Sequence, residues 1–473
     1  MYPHRSSMSV AVLGGGVSGL AAAHYLKLVN PTSQVILLEA SHRLGGWIKS
    51  TTFDDGITYE EGPRTLRVVG NAGANTLVLA ESLGLTEKII KVDYSHPSAK
   101  NRMIRVDGQL HKLPNSLKTA LKKLPPFSKP LAISALSDFR AKKVHNTDES
   151  LYSFVNRRFG SEVAKYAIDP LARGVFAGNA RELSVKSLAK RLHEVEQSHG
   201  SVLLGMFRDR KNSEKSDPEL LKSELVQKAR SEKWAVWSLK GGLETLVTTL
   251  AQKVEDSGVD ILRNTPVTNI WQSGPKLIVG TDKKQIEVDR VISCLPSNHL
   301  SSALEHTHKN LFKLLKSIPY ATVGVVTLEY PGQLLKEVAF GYLVPSSEPC
   351  KVLGVIFDTC TFPQGNRTIF TVMMGGYWFK EFFGENPSQE SLLDLAQSEV
   401  RKMLKINELP VRFSVNILRD CIPQYVVGHS EAVYNARRLI KEQNIPLTLA
   451  GNSYDGVGVN DAIMSAKRAV LSQ

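Results

Sequence analysis

The chain has 473 residues, 42% of them apolar and 22% charged, which is too long for one ordinary core and suits a folded protein of two or three domains. Its formal net charge of +13 favours anionic partners such as lipid surfaces or nucleic acid and says nothing of fold. There is no self-similar repeat and no long low-complexity tract, and no apolar run approaches the roughly 18 residues of a membrane-spanning helix. The best runs, such as VGVVTLEY at 323–330, are of strand length.

The opening MYPHRSSMSV lacks the apolar core of a secretory signal and reaches the first expected strand too soon for a transit peptide of usual length. SVAVLGGGVSGLAAAHYL then predicts a buried strand over 9–13 and a helix over 17–29, so that Gly14, Gly15, Gly16, Val17, Ser18 and Gly19 occupy a strand-to-helix turn. Gly14 permits the tight turn, Gly16 lets backbone amides approach a pyrophosphate at the positive helix end, and Gly19 lets helix pack closely on strand. A second strand over 35–38 ends at Glu39, twenty residues beyond Gly19, where a carboxylate can accept from ribose hydroxyls. This unit predicts an adenine dinucleotide, and an acid at Glu39 argues against a 2′-phosphate.

EASHRLGGWIKS follows, adding Arg43, Gly45, Gly46 and Trp47 as a second close-approach loop. EEGPRTLR at 60–67 is a Gly-Pro turn in which Gly62, Pro63, Arg64 and Thr65 can bring backbone and a cation near an isoalloxazine. Near the C-terminus, LTLAGNSYDGVGVNDAIMSAKRAV again runs from strand through a glycine-rich turn into a helix, with Asn452, Val457, Gly458 and Val459 at the turn. A helix N-terminus there stabilises negative charge on a reduced flavin edge or on phosphates. Together these loops select FAD over NAD.

The expected fold class is α/β, α+β overall. A discontinuous Rossmann-like FAD-binding domain takes 1–90, 235–299 and 436–473, with alternating helix and strands in its middle block. Val267, after Pro266, is expected to pass near the adenine. Residues 91–234 are expected to form a mainly helical, membrane-associating and substrate-contacting insertion, with Asp148 as the cap of a helix and the lysine-rich 209–218 as an exposed loop. Residues 300–435, with runs such as AFGYLV and TIFTVMMGG, are expected to form a mixed-sheet substrate domain. Between Lys112 and Lys143 eight Lys/Arg face the single Asp138, interleaved with leucines and prolines. That mixture suits an anionic membrane surface, or a helical pair packed on its own domain, better than a nucleic-acid groove, which favours stacking aromatics. The four cysteines lack zinc or dithiol spacing and are expected as free thiols, and the histidines form no metal pair.

LGGGVSGLAA, RLGGWI, HPSAKNR, PPFSKPL, RGVFAGN, WSLKGGLE, YLVPSSE, CIPQY and LAGNSYDGVGVND, in that order and over nearly the full length, resemble the protoporphyrinogen oxidases of animal and fungal mitochondria, within the flavin amine oxidase-like superfamily. The wider superfamily usually has Arg where this chain has Trp47. The resemblance implies one non-covalent FAD and six-electron oxidation of protoporphyrinogen IX by molecular oxygen. It also implies a peripheral enzyme on the intermembrane-space side of the mitochondrial inner membrane, a homodimer, and ferrochelatase as a partner. It places the propionate-pairing arginine on Arg102 and the macrocycle's cavity on Phe340, Gly341, Leu343 and Met373, with no catalytic residue other than the flavin. The remaining alternatives are a flavin amine oxidase and a non-catalytic binder on the same scaffold, similar to prenyl-protein escort proteins.

Overall fold

The computed structural model describes residues 8–145, 148–209 and 217–472; most of the opening decapeptide and most of the lysine-rich 209–218 lie outside the described residues. Five all-parallel strands form the central sheet, in the spatial order Asp260–Leu262, Gln34–Leu38, Ser9–Leu13, Arg290–Ser293, Leu447–Leu449. Ser9–Leu13 lies in the middle, with Val10 opposite Val35 on one side and Arg290 on the other. A parallel sheet is covered on both faces, which explains why its strands read as continuous apolar runs. One face carries the helices Val17–Val29, Glu244–Asp256 and Val459–Leu471. The other carries an antiparallel sheet of Val267–Ser273, Lys276–Thr281 and Gln285–Val288, with helices Ser297–Leu304, Lys309–Lys316 and His429–Glu442.

Leu300, Leu304, Leu311 and Leu315 share that second core with Leu13, Val291 and Leu449. The dinucleotide half therefore runs past the expected boundary at 299, because the two helices after it bury their apolar faces on the central sheet. Likewise, the first part of the 91–234 block is mostly strand, broken by the short helix Pro97–Lys100. Met103–Val106 and Gln109–Lys112 complete a seven-stranded sheet in the order Arg412–Pro423, Tyr320–Pro331, Arg367–Gly376, Val352–Phe357, Gly341–Leu343, Met103–Val106, Gln109–Lys112. Its one parallel pair joins Gly341–Leu343 to Met103–Val106. Helix Gln389–Leu404 covers one face, with Leu392, Ala396 and Val400 against Met103, Tyr342, Val372 and Met374.

The rest of the insertion is helical, with Leu151–Phe159, Asp169–Val175, Lys190–His199 and Val202–Arg208 around a small apolar core. Ser150, not Asp148, caps the first of these, accepting from Ser153 N at 3.1 Å. Asp148 instead accepts from Ser184 Oγ at 2.7 Å and Gly428 N at 3.1 Å, tying the insertion to the dinucleotide half. Arg158 is fully buried, donating to Asp138 Oδ1 at 3.0 Å, Glu196 Oε1 at 2.9 Å and Gly200 O at 2.8 Å. Removing one partner of such a network strands the others without solvent. Arg158→Met is expected to lower stability by about 3–5 kcal/mol, read as a fall in the urea midpoint followed by far-UV circular dichroism.

Candidate functional site

Three glycine loops meet at the C-terminal edge of the parallel sheet. Gly14 turns at φ +95°, and a Cβ on Gly19 would stand 1.8 Å from Gly14 O, so helix Val17–Val29 begins in direct contact with the strand end. Gly45 N donates to Gly15 O at 2.8 Å, and the Gly16 and Gly46 backbones touch closely enough that a Cβ on Gly46 would lie 3.1 Å from Gly16 Cα. Glu39 Oε2 accepts from Gly15 N at 2.7 Å, and its Oε1 from Ser41 N and Oγ at 2.8 Å. Thr265 N donates to Glu39 O at 2.8 Å, which brings the start of the Val267 strand to the same end. Arg43 bonds Leu44 O at 3.0 Å, Ile48 O at 2.9 Å and Gly46 O, and approaches Glu244. Its guanidinium braces the second loop from within.

The helices Val17–Val29 and Val459–Leu471 are capped by Gly16 and Gly458, neither with a side-chain cap. Two long helices thus aim first-turn amides outward without an internal acceptor, which fits an anionic dinucleotide. On the protein side Gly16 has room, since its Cβ would find nothing nearer than Gly46 Cα at 3.7 Å. These residues fit FAD.

The C-terminal turn is held from below by residues that local motif reading does not single out. Tyr425 Oη donates to Asn452 O at 2.5 Å and accepts from Gly456 N at 2.8 Å. Its ring stacks on His429 at 3.7 Å and 12°, and burial lowers the His429 pKa, keeping the imidazole neutral beside Ser453 O at 2.9 Å. Asn460 Nδ2 donates to Arg67 O at 2.8 Å, joining this turn to the strand Leu66–Arg67. The only signal for Tyr425 was its place in CIPQY, which has no spacing logic of its own.

Gly62 lies under Trp47 O, where a Cβ would stand at 2.1 Å; Pro63, Arg64 and Thr65 follow. The sequence suggested Arg64 as a cation near the flavin. Its guanidinium is buried and paired with Asp358 Oδ1 at 2.6 Å, while bonding Thr371 Oγ1 at 2.6 Å. Glu60 accepts from Ser50 Oγ at 2.6 Å and Leu243 N at 2.7 Å, and burial raises its pKa to about 7. Glu60, Arg64, Thr65, Phe340, Ile356 and Asp358 line a cavity of about 470 Å³ between the dinucleotide half and the seven-stranded sheet.

On that sheet Leu343 pairs with Gly354, Gly354 with Met373, and Met373 with Val325. Cross-strand partners share a face, so Leu343, Met373 and Val325 form one apolar row on the face opposite helix Gln389–Leu404. The Leu343 side chain lies over Gly354, where a Cβ would stand 2.9 Å from Leu343 Cδ2. Parallel pairing of Ile104 with Leu343, and Arg102 two residues before Ile104, put Arg102 on the same side. Its guanidinium lies 4.4 Å over the Phe340 ring, beside Gly341, and donates to Ser98 O at 2.6 Å.

Comparison with known proteins agrees with this geometry. Residues 17–470 match the model of the flavin-containing amine oxidoreductases. By fold, the chain superposes on a crystal structure of a candidate protoporphyrinogen oxidase from Exiguobacterium sp. 255-15 with a TM-score of 0.81 at 24% identity, covering 99% of this chain and 98% of that one. It also superposes on cyclohexylamine oxidase from Brevibacterium oxydans IH-35A with a TM-score of 0.66 at 15% identity, covering 99% of each. The chain is a flavin-containing oxidoreductase of this class, with FAD as its cofactor. Among curated proteins it is 41% identical to the protoporphyrinogen oxidases of Bos taurus and Homo sapiens, over 98% of this chain and 97% and 98% of theirs. It belongs to the protoporphyrinogen oxidase family.

Gly16→Val is expected to fold and lose its flavin, because the protein leaves room at that Cβ and the cofactor does not. Gly19→Val is expected to fail to fold, since its Cβ meets Gly14 O. Absorbance near the flavin band in the purified variants, set against far-UV circular dichroism, distinguishes the two.

Proposed function

We propose that the chain oxidises protoporphyrinogen IX to protoporphyrin IX in three two-electron rounds, reducing three molecules of oxygen to hydrogen peroxide. The carrying observation is the sheet face opposite helix Gln389–Leu404, where an aliphatic row of Leu343, Met373 and Val325 ends at Arg102, whose guanidinium has no carboxylate partner among the described residues. A porphyrinogen is a large apolar disc with carboxylates at its rim, so an aliphatic floor with a cation at one end is the complementary surface. When bound, non-covalently, FAD accepts the two electrons of each round as hydride. The protein's part is orientation: the floor sets the plane of the disc, and Arg102, stiffened by Phe340, sets its rotation. No residue of the row titrates, which fits a reaction whose rate depends on placement more than on proton transfer. An amine oxidase would need a polar or aromatic handle for a cation, and Arg102 repels one.

The glycine turns, Glu39, Val267, Asn452 and the 457–459 turn are the proposed FAD contacts, with Gly62, Pro63 and Thr65 toward its ring. The membrane reading rests on the segment 112–143. Leu117 is 87% exposed, Leu121 69% and Leu136 60%, and Lys118, Lys122, Lys123, Lys129 and Arg140 stand exposed among them. Apolar side chains of that size, kept in water and ringed by lysines, match an anionic bilayer surface. Among the described residues no helix is long and apolar enough to cross a membrane. A peripheral enzyme of the mitochondrial inner membrane, on its intermembrane-space side, is the consistent placement. The same reading includes a homodimer that passes its poorly soluble product to ferrochelatase.

The direct test mixes holoenzyme anaerobically with protoporphyrinogen IX and then admits oxygen. Bleaching of the flavin, its recovery on aeration and porphyrin fluorescence above the spontaneous rate are expected; a flavin that stays oxidised overturns the substrate. Arg102→Ala is expected to keep stoichiometric flavin and kcat while raising KM about tenfold, a loss of roughly 1.4 kcal/mol in transition-state binding. The triple change of Lys118, Lys122 and Lys123 to Glu is expected to abolish co-sedimentation with cardiolipin-containing vesicles, while leaving detergent-assayed turnover unchanged.

A further inference from the structure

Resting on the substrate reading above, we propose that Glu60 is the acid–base residue of the reaction, taking the pyrrole N–H proton that each round releases and returning it to the oxygen being reduced. The row of Leu343, Met373 and Val325 cannot hold a proton, but the register places the next row beside a group that can. Gly341 pairs with Ile356, Ile356 with Thr371 and Thr371 with Thr327. Each lies two residues along its strand from the floor row, hence on the same face and about 7 Å away. Ile356, Thr371 and Thr327 line the cavity that Glu60 also lines. A tetrapyrrole is wider than that spacing, so a disc resting on Leu343 and Met373 reaches over the cavity.

Three acids line that cavity. Asp55 is paired with Arg412 at 2.7 Å and Asp358 with Arg64 at 2.6 Å, whereas Glu60 forms no ion pair among the described residues. Its two oxygens each accept one bond, from Ser50 Oγ at 2.6 Å and Leu243 N at 2.7 Å, which fixes the carboxylate and leaves lone pairs for a proton. The charges around it have partners of their own: Arg64 and Asp358 neutralise each other, and Glu244, which accepts from Ser50 N at 2.9 Å, meets Arg43. Lys240 stands exposed at the cavity wall. Burial therefore dominates and raises the Glu60 pKa to about 7, so that it exchanges a proton near neutrality. Thr361 Oγ1, buried with no hydrogen-bond partner among the described residues, lines the same cavity and offers a polar contact to water or oxygen there. In each round a methylene C–H bond breaks with its electron pair leaving as hydride, and a pyrrole N–H bond breaks with its pair staying on nitrogen. Glu60 forms an O–H bond with the second proton. Oxygen later takes the two electrons and the proton of the hydride, and the proton from Glu60 completes hydrogen peroxide and restores the carboxylate.

The test follows anaerobic bleaching of the holoenzyme's flavin by protoporphyrinogen IX in stopped flow, at pH values on both sides of neutrality. The parent is expected to slow by about tenfold per pH unit on the acid side, where Glu60 is already protonated. Glu60→Gln is expected to keep stoichiometric FAD, to bleach about a hundredfold more slowly and to lose that acid limb, and Glu60→Asp to recover the limb. Infrared difference spectra of the oxidised holoenzyme between acid and neutral pH, which need no turnover, are expected to show a protonated-carboxyl band that Glu60→Gln removes. A parent rate that is flat across neutrality, a Glu60→Gln variant that bleaches at the parent rate, or a band that survives the substitution overturns the assignment to Glu60 and leaves the substrate reading standing. A parent whose flavin no porphyrinogen bleaches overturns both.

Discussion

The site depends on backbone lying against backbone. At Gly19 on Gly14 and Gly62 on Trp47 a methyl group would stand 1.8 and 2.1 Å from main-chain oxygens, so only hydrogen fits, and on Gly46 it would stand 3.1 Å from Gly16 Cα, tighter than ordinary contact. That closeness brings two uncapped helix N-termini and the Gly62 loop to one edge of the parallel sheet, where their amides can converge on a single extended anion. A side chain at any of these contacts would separate the loops by more than a hydrogen bond tolerates. The chemistry of the cofactor is intrinsic to it, and the protein's contribution begins with this packing.

The second requirement is that the seven-stranded sheet be fixed relative to the cofactor, and polar ties do this around an apolar floor. Arg64 crosses to Asp358 and Thr371. Tyr59 Oη donates to the fully buried Glu329 at 2.7 Å, and Arg412 meets the same carboxylate at 2.8 Å. The helical insertion is tied on its own side: Ser184 N donates to Tyr425 O at 2.8 Å, and Gln424 Nε2 to Phe176 O at 2.9 Å. Tyr425 in turn holds the 452–456 turn. The helical insertion and the C-terminal glycine turn are therefore joined through Tyr425. Directional bonds set the geometry at the rim, which lets the floor consist of side chains that bind without competing for the substrate's nitrogens.

How far the sequence discloses this follows from the range of each interaction. The dinucleotide turn is local: strand, glycines, helix and Glu39 lie within about thirty residues, and spacing is enough to read it. Arg64 was legible as a cation but not as a paired one, because Asp358 and Thr371 lie some three hundred residues away. Asp148 looked like a cap because caps are local, and its partners Ser184 and Gly428 are not. The shifted domain edges have the same origin. Strands Met103–Val106 and Gln109–Lys112 join a sheet assembled mostly from residues beyond 320, and no local pattern names the sheet that a strand joins. The residues proposed to floor the macrocycle were legible only through resemblance, since Leu343 and Met373 are otherwise ordinary strand apolars.

Charge follows from the same division between floor and rim. The excess of cations in a chain of net charge +13 is not spread evenly through the described structure. Those in the sheet and insertion cores are mostly neutralised by acids, which is the condition for burying them. Among those with no ion pair are Lys118, Lys122 and Lys123 around the exposed leucines of 112–143 and Arg102 beside Phe340. As a guanidinium, Arg102 keeps its charge at any working pH, whereas Glu60, which lines the cavity, titrates near neutrality because burial raises its pKa to about 7.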